Sequence, residues 1–161
     1  MHDRPQLPLT IAHAAGGMVA IALMEAFSIE TRFPLVALPF VTSIVVVFGS
    51  PNAEPAQPRA LVGGHLVSTI LGLLVVKLCG PTLWAAAPAV GIAMVAMHLT
   101  RTFHPPAGID PLVVVANNMS WGFLFVPIGV GSVLLVAVAF IWHNLIACFA
   151  SKGDTWPVRW W

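Results

Sequence analysis

The 161 residues are 58% apolar and 8% charged, with a mean hydropathy of +0.91 and no tyrosine. A soluble domain carries about 25% charged residues, so these charges are too few to coat a water-facing surface and lipid is the expected solvent. A net charge of +1 without a basic stripe gives no electrostatic support for nucleic acid as a partner.

Five apolar segments follow in chain order and predict an all-α, polytopic transmembrane helical bundle, a single domain over residues 1–161 in a bacterial inner membrane. The first, residues 9–29, has the spanning length of about 20 residues rather than that of a cleaved signal. A second, 33–48, begins four residues later. The third and fourth, 60–79 and 83–99, are joined by the tight Gly80-Pro81 turn and predict a hairpin. The fifth run, Leu112 to Phe149, is too long for one plain helix: Asn117, Asn118, Ser120 and Trp121 interrupt it, and Pro127, Gly129 and Gly131 follow. The expected outcome is a half helix over 111–117 and a span over 123–149. About seven helical residues cannot cross about 30 Å of hydrocarbon. The half helix must be re-entrant or buried against its neighbours, because broken backbone at membrane depth survives only where protein or a water-filled cavity meets its polar groups.

Small residues recur four apart in three rows: Ala12, Gly16 and Ala20; Gly64, Ser68 and Gly72; Ala85, Ala89 and Ala93. Such rows let helices approach closely in lipid. Five short helices give little wall around a permeation path, so a homo-oligomer is expected, with these faces as candidate seams. Cys79 and Cys148 read as small buried hydrophobes without a disulfide. Lys77 and His143 are expected at the interface, and Trp156, Trp160 and Trp161 as an aromatic anchor at headgroup level. His13 and Glu25 lie about 120° apart around the first helix and form no common site.

Two connections are dense in proline and polar groups: FGSPNAEPAQPR, Phe48 to Arg59, and TRTFHPPAGIDP, Thr100 to Pro111. With the hairpin between them, both emerge on one side of the membrane. Pro58 opens the third helix and Asp110-Pro111 opens the half helix, both standard helix starts. Free N–H groups and positive dipole ends there favour an anion, and Arg59 and Arg101 add planar forks of donors that fit a paired-oxygen anion. The expected small-anion site is therefore Arg59, Arg101 and His104 with both helix starts. His98, three residues before Arg101, shares its face. His65, about six residues into the third segment, is either pore-lining or an interhelical hydrogen-bond partner. Ser50 has no recognisable base and is no nucleophile; it joins the substrate-binding set. His104 either serves the site, orienting it or carrying a proton, or fixes its loop by a bond to a backbone carbonyl. Pro51, Pro58, Pro105, Pro106 and Gly108 shape the loops. No histidine pair has zinc-motif spacing, so no metal, cofactor or enzymatic activity is expected. By the positive-inside rule the orientation stays open: one face collects Arg4, Arg59 and Arg101, the other Arg32, Lys77, Lys152 and Arg159.

HPPAG (His104–Gly108), with GSPNAEPAQPR (Gly49–Arg59) and GGH (Gly63–His65) upstream, resembles the HPP family of integral membrane proteins over roughly Phe33 to Trp142. Two separated motifs agree in order and in placement between apolar segments. Some members in plastids and cyanobacteria are associated with nitrite transport, so the resemblance implies a transporter or channel for a small inorganic anion, nitrite first. Some relatives carry a regulatory CBS region; none lies within these 161 residues, and nucleotide regulation is not expected. The competing class is a non-transporting structural or regulatory subunit, with a membrane-embedded enzyme behind it.

Overall fold

The computed structural model describes residues 7–31, 40–150 and 155–160. Six α-helices occupy most of them: α1 (Leu7–Thr31), α2 (Val41–Gly49), α3 (Pro58–Cys79), α4 (Leu83–Leu99), α5 (Asp110–Ala116) and α6 (Gly131–Ala150). A π-turn over Leu124–Val130 leads into α6 around Pro127, whose missing N–H removes one rung of the helical ladder. By length and composition α1, α3 and the continuous run Leu124–Phe149 can each cross a bilayer. Trp84 is 93% exposed and Phe149 85%, surfaces that lipid rather than water accommodates. The molecule is a helical membrane bundle, as its composition requires. Of the predicted second span, residues 33–39 lie outside the described part and Val41–Gly49 is helix.

α3 is the axis on which the rest is built. Its hairpin to α4 turns at Gly80, whose φ of 78° is one that glycine adopts without steric cost. From the end of α4 the chain does not stay at the surface but descends along α3. A Cβ on Gly64 would lie 2.7 Å from the His104 Cβ and 2.8 Å from the Thr102 carbonyl oxygen, and one on Gly72 would lie 2.8 Å from the Pro111 Cα. At 1.5 Å per residue, Gly72 is about 21 Å down the helix from Pro58. The sequence predicts a half helix that begins beside the proline loop and the arginines. It begins instead deep in the bundle, because the Asp110 carboxylate finds its partners there, on α3.

A short 3₁₀ turn, Pro105–Ile109, and α5 together make one broken crossing. Its far end packs at the α3–α4 hairpin, with Val115 against Ala85, Ala86 and Ala89 and beside Val75 and Val76. The chain thus leaves α5 on the far face, and α6 returns to the loop face. Trp142 Nε1 of α6 donates to the Ala12 carbonyl of α1 at 3.1 Å, which fixes the start of α1 on the loop face too. Arg159, assigned by sequence to the opposite face from Arg59, therefore lies on the same one: the broken crossing adds a traverse that apolar segment length does not reveal.

Other expectations need correction. The three small-residue rows are spent within this chain rather than at oligomer seams. Gly64 and Gly72 receive the descending segment, Gly16 faces Trp142 and Phe48, and Ala85, Ala89 and Ala93 are buried. Cys79 and Cys148 are free and exposed, not buried. His143 is buried, not interfacial, stacked on Phe48 at 5.0 Å and tilted against Trp156 at 5.7 Å. Trp156 is likewise buried while Trp160 is exposed; Trp161 lies outside the described residues. Gly108 has open space around it and an ordinary negative φ, so the loop does not require glycine there.

Candidate functional site

The site has two layers on α3, an open arginine cavity above and a buried polar chain below. The cavity, about 390 Å³, is lined by Asn52, Glu54, Gln57, Arg59, Ala60, Arg101, Val158, Arg159 and Trp160. Three elements bring its guanidinium groups together. Arg59 stands in the first turn of α3, behind Pro58 at the first helical position, and Arg59 Nη2 donates to the Thr100 carbonyl at 2.9 Å, tying the start of α3 to the end of α4. Arg101 closes α4: the Thr102 N–H bonds the Met97 carbonyl at 2.8 Å and the Arg101 N–H bonds the His98 carbonyl at 3.1 Å, with Arg101 itself at φ 55°. That is the left-handed closing position glycine usually fills. Arg159 is delivered by Gln57. The Gln57 amide Nε2 donates to the Pro51 and Ala53 carbonyls at 2.8 and 3.0 Å, and its Oε1 accepts from the Val158 and Arg159 N–H groups at 2.9 and 3.2 Å. One buried glutamine so clamps the proline loop to the C-terminal segment. Among the described residues Glu54 is the only acid in the lining, set against three guanidinium groups.

Below it, five side chains with no solvent exposure form a continuous line: Ser43, His65, Ser68, His104 and Asp110. His104 Nδ1 lies 2.7 Å from the Pro55 carbonyl oxygen and its Nε2 lies 2.9 Å from Ser43 Oγ. The same Ser43 oxygen is 2.9 Å from His65 Nε2. His65 Nδ1 is 2.8 Å from Asp110 Oδ2, to which Ser68 Oγ also donates at 2.9 Å. Phe40 covers the His65 ring at 4.8 Å. Buried polar groups must pair, and here every link but Asp110 Oδ1 has a partner.

Of the residues expected to touch an anion, the fold brings Arg59 and Arg101 into one cavity. His104 and His65 are joined to each other through Ser43, below the cavity and not in its lining. Ser50 ends α2, exposed and outside the cavity lining. The α3 start belongs to the cavity; the α5 start does not. Pro105 and Pro106 occupy the first positions of the 3₁₀ turn. His98 stacks on Phe103 at 4.1 Å and lines a smaller cavity of about 190 Å³ with Glu54, Pro55, Arg101 and Phe103. Sequence reasoning passes over Ser43, Ser68, Gln57, Arg159 and the role of Asp110 as a histidine partner. The available signal is the rarity of an acid within a membrane segment. Among the described residues no group of three or more His, Cys, Asp and Glu side chains is arranged to hold a metal ion.

The model of a family described as HPP, transmembrane region, matches residues 2–151. A transmembrane protein of Dictyostelium discoideum is 36% identical over 154 residues, covering 90% of this chain and 48% of that protein. A second from the same organism is 30% identical over 154 residues, covering 90% of this chain and 52% of its own length. The chain thus spans about half the length of the curated relatives it matches. No solved structure matches.

Proposed function

This chain belongs to the HPP transmembrane family, and from that premise we propose that it moves a small inorganic anion across the bilayer, with nitrite as the leading substrate. The observation that carries the reading is the cavity where Arg59, Arg101 and Arg159 converge, with Glu54 the one acid among the described residues that line it. Three guanidinium groups gathered at one face of a membrane bundle repel one another unless a negative charge joins them, and their forked donors suit a paired-oxygen anion. The N-terminal turn of α3 adds partial positive charge. No catalytic role is proposed. The proposed state is a homo-oligomer, its seams on lipid-facing surfaces rather than on the consumed small-residue rows, in the plasma membrane of a bacterium.

The test is flux of nitrite, nitrate, formate and chloride into liposomes carrying the purified chain, against protein-free liposomes. Nitrite should enter fastest. Arg59→Ala, Arg101→Ala and Arg159→Ala should each slow entry at least about tenfold, since a charge-assisted hydrogen bond contributes about 1.5–3 kcal/mol. A silent wild type overturns the transport reading.

A second reading has its own observation. An apolar cavity of about 580 Å³, lined by Val62, Leu66, Val133 and Val136 among others, shares Arg59 and Trp160 with the arginine cavity. An anionic phospholipid would place its phosphate among the arginines and an acyl chain in this groove. Such a chain would be a lipid-holding subunit, recognised by silent flux together with an anionic lipid that stays bound through purification and is lost in Arg59→Ala.

A further inference from the structure

Residues 155–160 lie beyond α6 and carry no helix or strand. They lie back across the loop face as a strap whose two halves are held differently. The near half is anchored. The Trp156 ring is 2% exposed within the apolar core, 5.7 Å from the His143 ring, and Asn144 Nδ2 of α6 donates to the Trp156 carbonyl at 2.6 Å. The same Nδ2 donates to the Phe140 carbonyl at 2.8 Å, which fixes the amide in place. The far half sits at the surface, with Val158 50% and Trp160 53% exposed. Among the described residues it is held by the Val158 and Arg159 N–H groups on Gln57 Oε1, at 2.9 and 3.2 Å, and by the Trp160 ring at 6.1 Å from Phe140. Hydrogen bonds that water can replace add little net stability, so this half opens more readily than any helix of the bundle.

That half gives the arginine cavity one of its three guanidinium groups, Arg159, and a wall, Trp160. Among the described residues the one ion pair is His65–Asp110, so none of their carboxylates neutralises Arg159. Docking the strap therefore brings a third positive charge toward Arg59 and Arg101, and like charges repel more strongly the closer they come. An anion between them reverses the sign of that interaction. We infer that residues 155–160 are a strap that closes on the anion, with Gln57 as its latch and Asn144 as its positioning residue. Anion binding and strap docking then reinforce each other, and by reciprocity each changes the other's equilibrium by the same factor. Asn144 touches no anion. It acts through the Trp156 carbonyl, whose fixed position aims the two amides that follow at Gln57. Closing also matters for water: Trp160 lines both the arginine cavity and the apolar cavity beside it. A docked ring there shields the charge-assisted bonds, which are stronger where the local dielectric is low.

The strap rests on the reading of this cavity as an anion site, and the tests separate it from transport. Hydrogen exchange at the Val158 and Arg159 amides, followed by nitrogen NMR of the full chain in detergent, reports the latch directly, since both bond Gln57 only when docked. Added nitrite should slow both amides at least about fivefold along a saturable curve. Slowing that never saturates is ionic screening and overturns the strap. Arg101→Gly, which removes a donor without touching the strap, should abolish the saturable slowing. Asn144→Asp keeps the shape of the side chain but turns an acceptor toward the Trp156 carbonyl. Without nitrite its two amides should exchange at least about fivefold faster than the parent's. In liposomes its half-saturating nitrite concentration should rise by a similar factor, with the maximal entry rate within about twofold. An unchanged Asn144→Asp ends the positioning role; should that variant not fold, the parent's exchange curve still decides the strap. Exchange indifferent to nitrite in a chain that transports it ends the strap. Saturable slowing in a chain silent in liposomes upholds the strap and ends the transport reading, and neither slowing nor entry ends both.

Discussion

Arg101 holds a left-handed backbone, φ 55°, that costs a side-chain-bearing residue about 1 kcal/mol relative to glycine. Thr102 reaches back to Met97 in the closing pattern that normally ends in glycine, so the fold would be as content with no side chain there. Arginine at such a position points to what the guanidinium does in the cavity. Alanine would retain the strain, which makes glycine the cleaner replacement. Arg101→Gly should leave thermal stability in detergent within about 1 kcal/mol of the parent or slightly above it, while slowing nitrite entry at least about tenfold. Loss of stability alongside loss of flux would assign Arg101 to the fold rather than to the anion. Legibility at this scale is uneven. Arg59 and Arg101 are visible because a charge next to a proline loop in an apolar chain has few other uses. Arg159 is not, because its place depends on Gln57, whose amide looks ordinary in sequence and whose bonds reach a hundred residues along the chain.

Among the elements, α3 decides the architecture through what its glycines admit. Gly72 receives Pro111 so closely that an added Cβ would lie only 2.8 Å from a backbone carbon and 3.1 Å from the Val114 Cβ. Neither atom belongs to a side-chain end that can swing aside, so Gly72→Ala must push α5 away and should cost about 1–3 kcal/mol. Gly91, in the exposed middle of α4, has nothing within 4 Å. There the gain in helix propensity dominates, and Gly91→Ala should stabilise by up to about 1 kcal/mol. Thermal unfolding of both variants in one detergent checks the contrast; equal shifts in either direction would remove Gly72 from its role as the seat of α5. The interruption at Asn117 and Asn118 announces a half helix correctly, since α5 ends at Ala116 with Asn118 at φ 49°. Its depth cannot be read from the chain alone. Where a broken helix starts is set by the partners of its polar residues, and those of Asp110 are His65 and Ser68, more than forty residues earlier.

For the whole molecule the broken crossing decides which charges share a face. Counting apolar segments divides the basic residues almost evenly and leaves the orientation open. With residues 100–116 passing through the bundle, the loop face holds Arg59, Arg101 and Arg159 among the described residues, while Lys77, in the last turn of α3, stands at the far face. That excess follows the positive-inside rule if the loop face is cytoplasmic, and the arginine cavity would then open toward the cell interior. The two exposed thiols make this measurable, because Cys79 ends α3 on the far face while Cys148 lies near the loop-face end of α6. In Cys148→Ser, a membrane-impermeant maleimide added outside sealed right-side-out cells should modify Cys79. In a chain lacking both native thiols, Asn52→Cys, on the exposed proline loop, should react only after the membrane is opened. The reverse pattern would turn the cavity outward and make anion capture, rather than release, the event at the arginines.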